Sequence, residues 1–216
     1  SQGHYDKALE YYQKDLDITI GVVGHDHLDV AKSHGNIGQV HTNMGDFENA
    51  LFHLGKAHEV FVAVHGHDHP DVAKSYGNIG NVLQSQGKYE EALVQHEKCK
   101  DVFVAVHGRD HPDVANSYQN IAEIYNKQDR NQEAMAQCDA ALKLLIQCHN
   151  EQHLDIADLR ILMGKIHCDQ QHYADAKQQY DAALAIFSTH PDNSLPARRA
   201  ALQLRIGELA GRQNND

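Results

Sequence analysis

Shifted by 42 residues, the chain falls on itself, and no other feature constrains its fold as much. Gly45-Asp46-Phe47-Glu48-Asn49-Ala50-Leu51 matches Gly87-Lys88-Tyr89-Glu90-Glu91-Ala92-Leu93, and one period earlier Gly3-His4-Tyr5-Asp6-Lys7-Ala8-Leu9. Weaker copies follow at residues 129–135 and 171–177, which keep Ala134 and Ala176. A second block recurs in step: His27-Leu28-Asp29-Val30-Ala31, His69-Pro70-Asp71-Val72-Ala73, His111-Pro112-Asp113-Val114-Ala115 and His153-Leu154-Asp155-Ile156-Ala157. A chain built this way repeats one supersecondary unit, which buries its apolar face only by stacking on its neighbours.

Each period carries two helical patterns. The first runs from about Asp71 to Ser85, with Val72, Tyr76, Ile79 and Leu83 on one face. Pro70 suits a first helical position, Asp68 is a candidate cap, and Asp71 adds negative charge near the positive end of the helix dipole. Gly87 supplies the left-handed residue that ends the helix. The second pattern runs from about Tyr89 to His107; one repeat earlier its stripe reads Phe47, Ala50, Leu51, Leu54, Ala57, Phe61 and Val64. Small residues recur at one phase of each pattern: Gly38, Gly80, Ala122 and Gly164 in the first, Ala8, Ala50, Ala92, Ala134 and Ala176 in the second. Glycine costs ~1 kcal/mol against alanine inside a helix, so its recurrence points to a close helix–helix approach. The expected fold is all-α: a right-handed α-solenoid of antiparallel helix pairs.

These residues carry a resemblance. Ile79-Gly80, then Gly87-x-Tyr89-x-x-Ala92, with Pro112 ahead of the next unit, resembles the tetratricopeptide repeat, whose usual period is ~34 residues. The eight extra residues here would lengthen the second helix by roughly two turns, or ~12 Å. That longer period, with Gly-x-Asp-His-Pro-Asp-Val-Ala between units, is similar to the kinesin light chain type of array. The long heptad segment that joins such light chains to a motor is not seen in this sequence. Residues 1–216 divide into a half repeat (1–27), repeats 28–69, 70–111, 112–153 and 154–193, and a capping helix (194–216). The half repeat is expected to leave apolar surface uncovered, a route to self-association through Leu9 and Leu16. The cap sets Leu202, Ile206 and Leu209 on one side and Arg198, Arg199 and Arg205 elsewhere.

The resemblance implies that the first helices line a concave face that binds an extended or helical peptide. In register, the exposed column is Lys32, Asn36, Gln39 and Asn43, then Lys74, Asn78, Asn81 and Ser85, then Asn116, Asn120, Glu123 and Lys127. A side-chain amide offers a donor and an acceptor to a peptide main chain, and the resemblance assigns that clamp to Asn36, Asn78 and Asn120. Lys32, Lys74 and Lys127 would favour an acidic ligand. The fourth repeat lacks this Asn and also the glycine of the turn, replaced by Gln171.

Other function classes fare poorly. With 19 Lys+Arg against 30 Asp+Glu the formal charge is −11, wrong in sign for a nucleic-acid binder, which must neutralise phosphates. No apolar run approaches the ~20 residues of a membrane-spanning helix, and acidic outer faces would repel anionic lipid. There is no Gly-rich phosphate loop, no Gly-x-Ser-x-Gly and no His-Glu-x-x-His, so no catalytic residue or cofactor is assigned. Cys99, Cys138, Cys148 and Cys168 form no C-x-x-C pair and read as buried thiols of a cytoplasmic protein. Among 18 histidines, His65-x-His67-x-His69 has ligand-like spacing, but Arg109 breaks the pattern in the next turn. The last histidine of each inter-repeat turn is therefore expected to pack or hydrogen-bond at the junction, with no metal.

Overall fold

The computed structural model describes residues 2–149, 151–190 and 195–213. Among them are ten helices and no strand: α1 (Gln2–Val23), α2 (Leu28–Met44), α3 (Phe47–His65), α4 (Pro70–Ser85), α5 (Tyr89–His107), α6 (Pro112–Lys127), α7 (Asn131–Cys148), α8 (Leu154–Asp169), α9 (Tyr173–Thr189) and α10 (Leu195–Gln213). They form an all-α solenoid fold whose chain divides into two compact units, Ser1–Arg109 and Asp110–Asp216. In the first, α2/α3 and α4/α5 are hairpins, with α1 packed on α2 and α3 on α4. In the second, α6/α7 and α8/α9 are hairpins, with α7 packed on α8 and α10 on α9. No helix of the described residues is long and apolar enough to cross a membrane.

Helix starts differ from the sequence expectation in one respect. Asp68 does not cap α4; the N-cap is His69, whose Nδ1 accepts from the Asp71 amide at 3.2 Å. His27, His111 and His153 make the same bond at the heads of α2, α6 and α8, at 3.2, 3.2 and 3.3 Å. Asp68 sits one residue too early in the extended turn, whereas an imidazole at the cap reaches the amide two residues on.

Helix ends inside each hairpin share one turn. Its left-handed residue is Gly45, Gly87, Asp129 or Gln171, with φ of 76°, 75°, 58° and 62°. In each case the next amide returns to a carbonyl of the helix's last turn: Asp46 to His41, Lys88 to Leu83, Arg130 to Tyr125 and His172 to His167, all at 2.9 Å. Losing glycine thus leaves the turn intact, at a conformational cost of roughly 1 kcal/mol.

The recurring small residue has a specific neighbour sixteen positions on. A Cβ added to Gly38 would lie 2.8 Å from Leu54 Cγ, one on Gly80 2.7 Å from His96 Nε2, and one on Gly164 2.4 Å from the Tyr180 ring. The fourth pair is Ala122 with Cys138, both fully buried. Glycine therefore stands where the neighbour is large, and alanine where it is small.

The two ends are built differently. Leu202 and Leu209 of α10 are buried, Arg199 donates to the carbonyls of Phe187 and His190, and Arg198 pairs with Asp158 while lying 4.6 Å over the Phe187 ring. Ser194 and residues 214–216 of the expected cap lie outside the described residues, as do residues 191–193 of the fourth repeat. On α1 the expected open face needs correction. Leu16 is buried against Val30 and Ile37 with Leu9 packed beside it, and the exposed side chains are Tyr11, Ile18 and Val22.

Candidate functional site

The polar columns of the first helices lie on solvent-facing surfaces. In the first unit Lys32, Asn36, Gln39, Asn43, Lys74, Asn78 and Asn81 are all exposed, because Val30, Ala31, Ile37 and Val40 of α2, and Val72, Ala73, Val82 and Leu83 of α4, turn the opposite faces inward. Between α2 and α4 runs a cleft of about 300 Å³ that gathers Lys32, Asn36, Gln39, Lys74 and Asn78, together with Phe61 and Asp71. Asn43 and Asn81 stay on the same helices but outside it. Gln39 donates to Asn43 at 3.2 Å, which holds that pair along the helix. Lys32 reaches Asp29 at 3.0 Å and holds its carboxyl below the ordinary carboxylate range. Two lysines, three side-chain amides, one carboxylate and one aromatic ring thus share this cleft.

In the second unit Asn116 and Lys127 are exposed and Asn120 and Glu123 half-buried. Glu123 and Lys127 line a cleft of about 190 Å³ with Gln119, Asn126, Asp158, Ile161, Leu162 and Lys165. Asn116 and Asn120 do not line it. Asp158 and Lys165 were missed by sequence reasoning, although one further step of 42 from Asn116 and Glu123 lands on them. Leu162 stands at the phase of Asn36, Asn78 and Asn120, so this cleft is floored by hydrocarbon where the first carries an amide. Asn126 is buried and donates to Asn131 at 3.2 Å and Asp169 at 2.9 Å, fixing one end of the cleft.

The junction histidines cap helices and stack on one another. His65 stacks on His69 with centroids 3.7 Å apart and ring planes at 9°, and His149 stacks on His153 at 3.9 Å and 9°. An aspartate two residues after each cap comes within 3.4–3.7 Å of Nδ1, a carboxylate at fixed spacing that the sequence reading had overlooked. The thiols divide. Cys99 and Cys138 are buried, and burial pushes the Cys138 pKa up to about 12. Cys168 is half-buried, and Cys148 is exposed, its thiol donating to the Asp110 carbonyl at 2.9 Å, so the expectation of four buried thiols fails at the helix end.

A profile of the tetratricopeptide repeat family matches residues 1–61, 29–103, 71–137 and 119–189. No curated protein matches significantly. Among solved structures, BtubC (BKLC) from P. vanneervenii superimposes with a TM-score of 0.83 at 16% identity, covering 95% of this chain and 82% of its own. A kinesin light chain-like structure from Podosopora anserina, made of nearly identical TPR-like repeats, gives 0.71 at 16% identity over 88% of this chain and 91% of its own. The apo form of RapI gives 0.73 at 16% identity over 92% of this chain and 53% of its own. Hairpins in step with a 42-residue period, matched by that profile over most of their length, place the chain in the tetratricopeptide repeat family, whose repeats are in general non-catalytic protein–protein interaction scaffolds.

Proposed function

We propose that the protein is a non-enzymatic, cytoplasmic adaptor, one array over residues 1–216, that captures an extended or helical peptide of a partner protein on the polar faces of its first helices. The observation that carries this reading is the cleft between α2 and α4, where Asn36 and Asn78 recur one period apart beside Lys32 and Lys74. Amides at such spacing pair with main-chain N–H and C=O groups, and the lysines favour a ligand with carboxylates facing them. Asn120 holds the same column position in its own unit and is proposed to act there in the same way. Affinity is expected at ~1–100 μM, since a short flexible ligand loses conformational freedom on ordering.

A peptide array probed with the whole chain tests the reading. Binders are expected to be acidic, and Asn78→Ala should weaken them by roughly tenfold, the worth of one or two hydrogen bonds in a desolvated groove. Lys74→Glu should discriminate against acidic sequences in particular. Equal affinity of wild type and both variants would remove the cleft from consideration.

A second reading, self-association, draws on the exposed Tyr11, Ile18 and Val22 of α1, spaced along one stripe. Light scattering across a concentration series separates the two: a dimer abolished by Ile18→Lys with Val22→Lys supports this reading, and a monomer at all concentrations dismisses it.

A further inference from the structure

Within each hairpin the turn brings together the same two positions, five residues apart, because the shared backbone bond joins them. The pairs are His41 with Asp46, Leu83 with Lys88, Tyr125 with Arg130, and His167 with His172. In the first repeat the two form an imidazole–carboxylate hydrogen bond of 3.0 Å, and in the third the guanidinium of Arg130 lies 4.3 Å over the Tyr125 ring. The fourth repeat instead sets two imidazoles side by side. Asp175, in the first turn of α9, adds a carboxylate, and one ligand atom from each of the three lies within 4.8 Å of the others.

We propose that His167, His172 and Asp175 form a binding site for a zinc-type divalent cation that clips the end of α8 to the start of α9. Two imidazoles and a carboxylate are a familiar three-ligand set for zinc, with a fourth position left for water or an external group. Three features mark this cluster, and the first and third separate it from the stacked histidines between repeats. His172 occupies the N-cap of α9 yet makes no side-chain cap bond, so its ring is available. His167 Nδ1, like His65 Nε2 at the first junction, is buried with no hydrogen-bond partner among the described residues, an unsatisfied group that a second-shell contact or the ion itself would satisfy. The two rings are tilted at 42° with centroids 6.2 Å apart, so their in-plane lone pairs can converge. At His65/His69 and His149/His153 the rings are parallel, which directs their lone pairs alongside one another, and the second ring already spends Nδ1 on the cap. A tetrahedral zinc site sets its ligand atoms ~3.3 Å apart, and of the three side chains His172 and Asp175 are exposed, with room to turn inward.

The site differs from the junction turns, for which no metal was expected, and it owes nothing to the peptide cleft. Calorimetric titration of zinc chloride into the whole chain is the test, with helicity checked for every variant. One site should bind zinc, and His172→Ala should weaken it by at least ~10-fold, as should Asp175→Asn, which keeps the side-chain shape. His65→Ala with His107→Ala and His149→Ala, which breaks the three junction groups of two histidines and an aspartate, should leave that affinity unchanged. Zinc binding to His172→Ala and Asp175→Asn as tight as to wild type would overturn the assignment, as would no binding to wild type or loss of the site in the junction variant alone.

Discussion

Acidifying the protein from pH 7 to pH 4 is expected to weaken its first unit by about 3 kcal/mol through one residue, His96. Its ring is fully buried against Gly80, and neither nitrogen has a hydrogen-bond partner among the described residues. Burial lowers its pKa to about 4, against an ordinary value of 6.5. Above pH 6.5 the residue is neutral folded or unfolded, and the stability is fully present. Between 6.5 and about 4 the unfolded chain takes up a proton that the folded chain refuses, so stability falls by ~1.4 kcal/mol per pH unit; below about 4 the loss levels off. His53 is also lowered to about 4, by burial first and then by His34 and His41, and His34 and His58 are lowered mainly by burial. These three are partly exposed and add to the same acid limb in smaller measure. Urea unfolding followed by circular dichroism, at pH 7 and pH 4.5, checks this on wild type and His96→Leu. Leucine is the informative replacement, because Leu54 fills the matching place opposite Gly38. The variant should be the more stable of the two at pH 4.5, with most of the acid sensitivity gone. A pH response identical to wild type would show that the buried imidazole is not its source.

Gly164→Ala should destabilise the second unit by about 2 kcal/mol, although alanine is the better helix former by ~1 kcal/mol. The new methyl would sit 2.4 Å from the Tyr180 ring, which is itself buried and whose hydroxyl lies 3.7 Å from Cys168 Sγ. That ring cannot retreat without opening the packing behind it. Gly55→Ala meets nothing within 4 Å and should stabilise by up to ~1 kcal/mol, so the two substitutions have opposite signs for a stated reason. Combining Gly164→Ala with Tyr180→Cys copies the Ala122/Cys138 pair and should cost less than the sum of the single changes. Thermal melting of the four variants gives the cycle; strict additivity would mean that the close approach at Gly164 is not what limits this position.

The hairpins were legible because two landmarks share one period, and each helix has a punctuating residue at a fixed place. The ends of α4 and α5 follow from Pro70, Gly87 and Gly108 with little else required. What the sequence concealed were relations between side chains. That histidine rather than aspartate caps the first helices depends on where the turn aims an imidazole. The partner of each small residue is sixteen positions away and appears only once the hairpin closes. For the candidate cleft, the period placed Asn36 beside Asn78, but not Phe61 of the intervening helix, which enters from a different face. Leu16 was misjudged because an apolar residue on the half repeat's helix looks equally suited to an open face or a covered one.

Copies of nearly the same hairpin pose a problem of recognition while the chain is still collapsing, since any first helix offers much the same stripe to any second helix. The sizes at the crossing resolve part of it. If the helix bearing Ala122 tried to close on Tyr180, its methyl would meet an aromatic ring, and if the helix bearing Gly164 closed on Cys138, a void would remain. An exchange of partners that involves the Ala122 helix is thereby penalised in one direction by collision and in the other by emptiness, so one hairpin in this run of look-alike segments is marked apart from its neighbours.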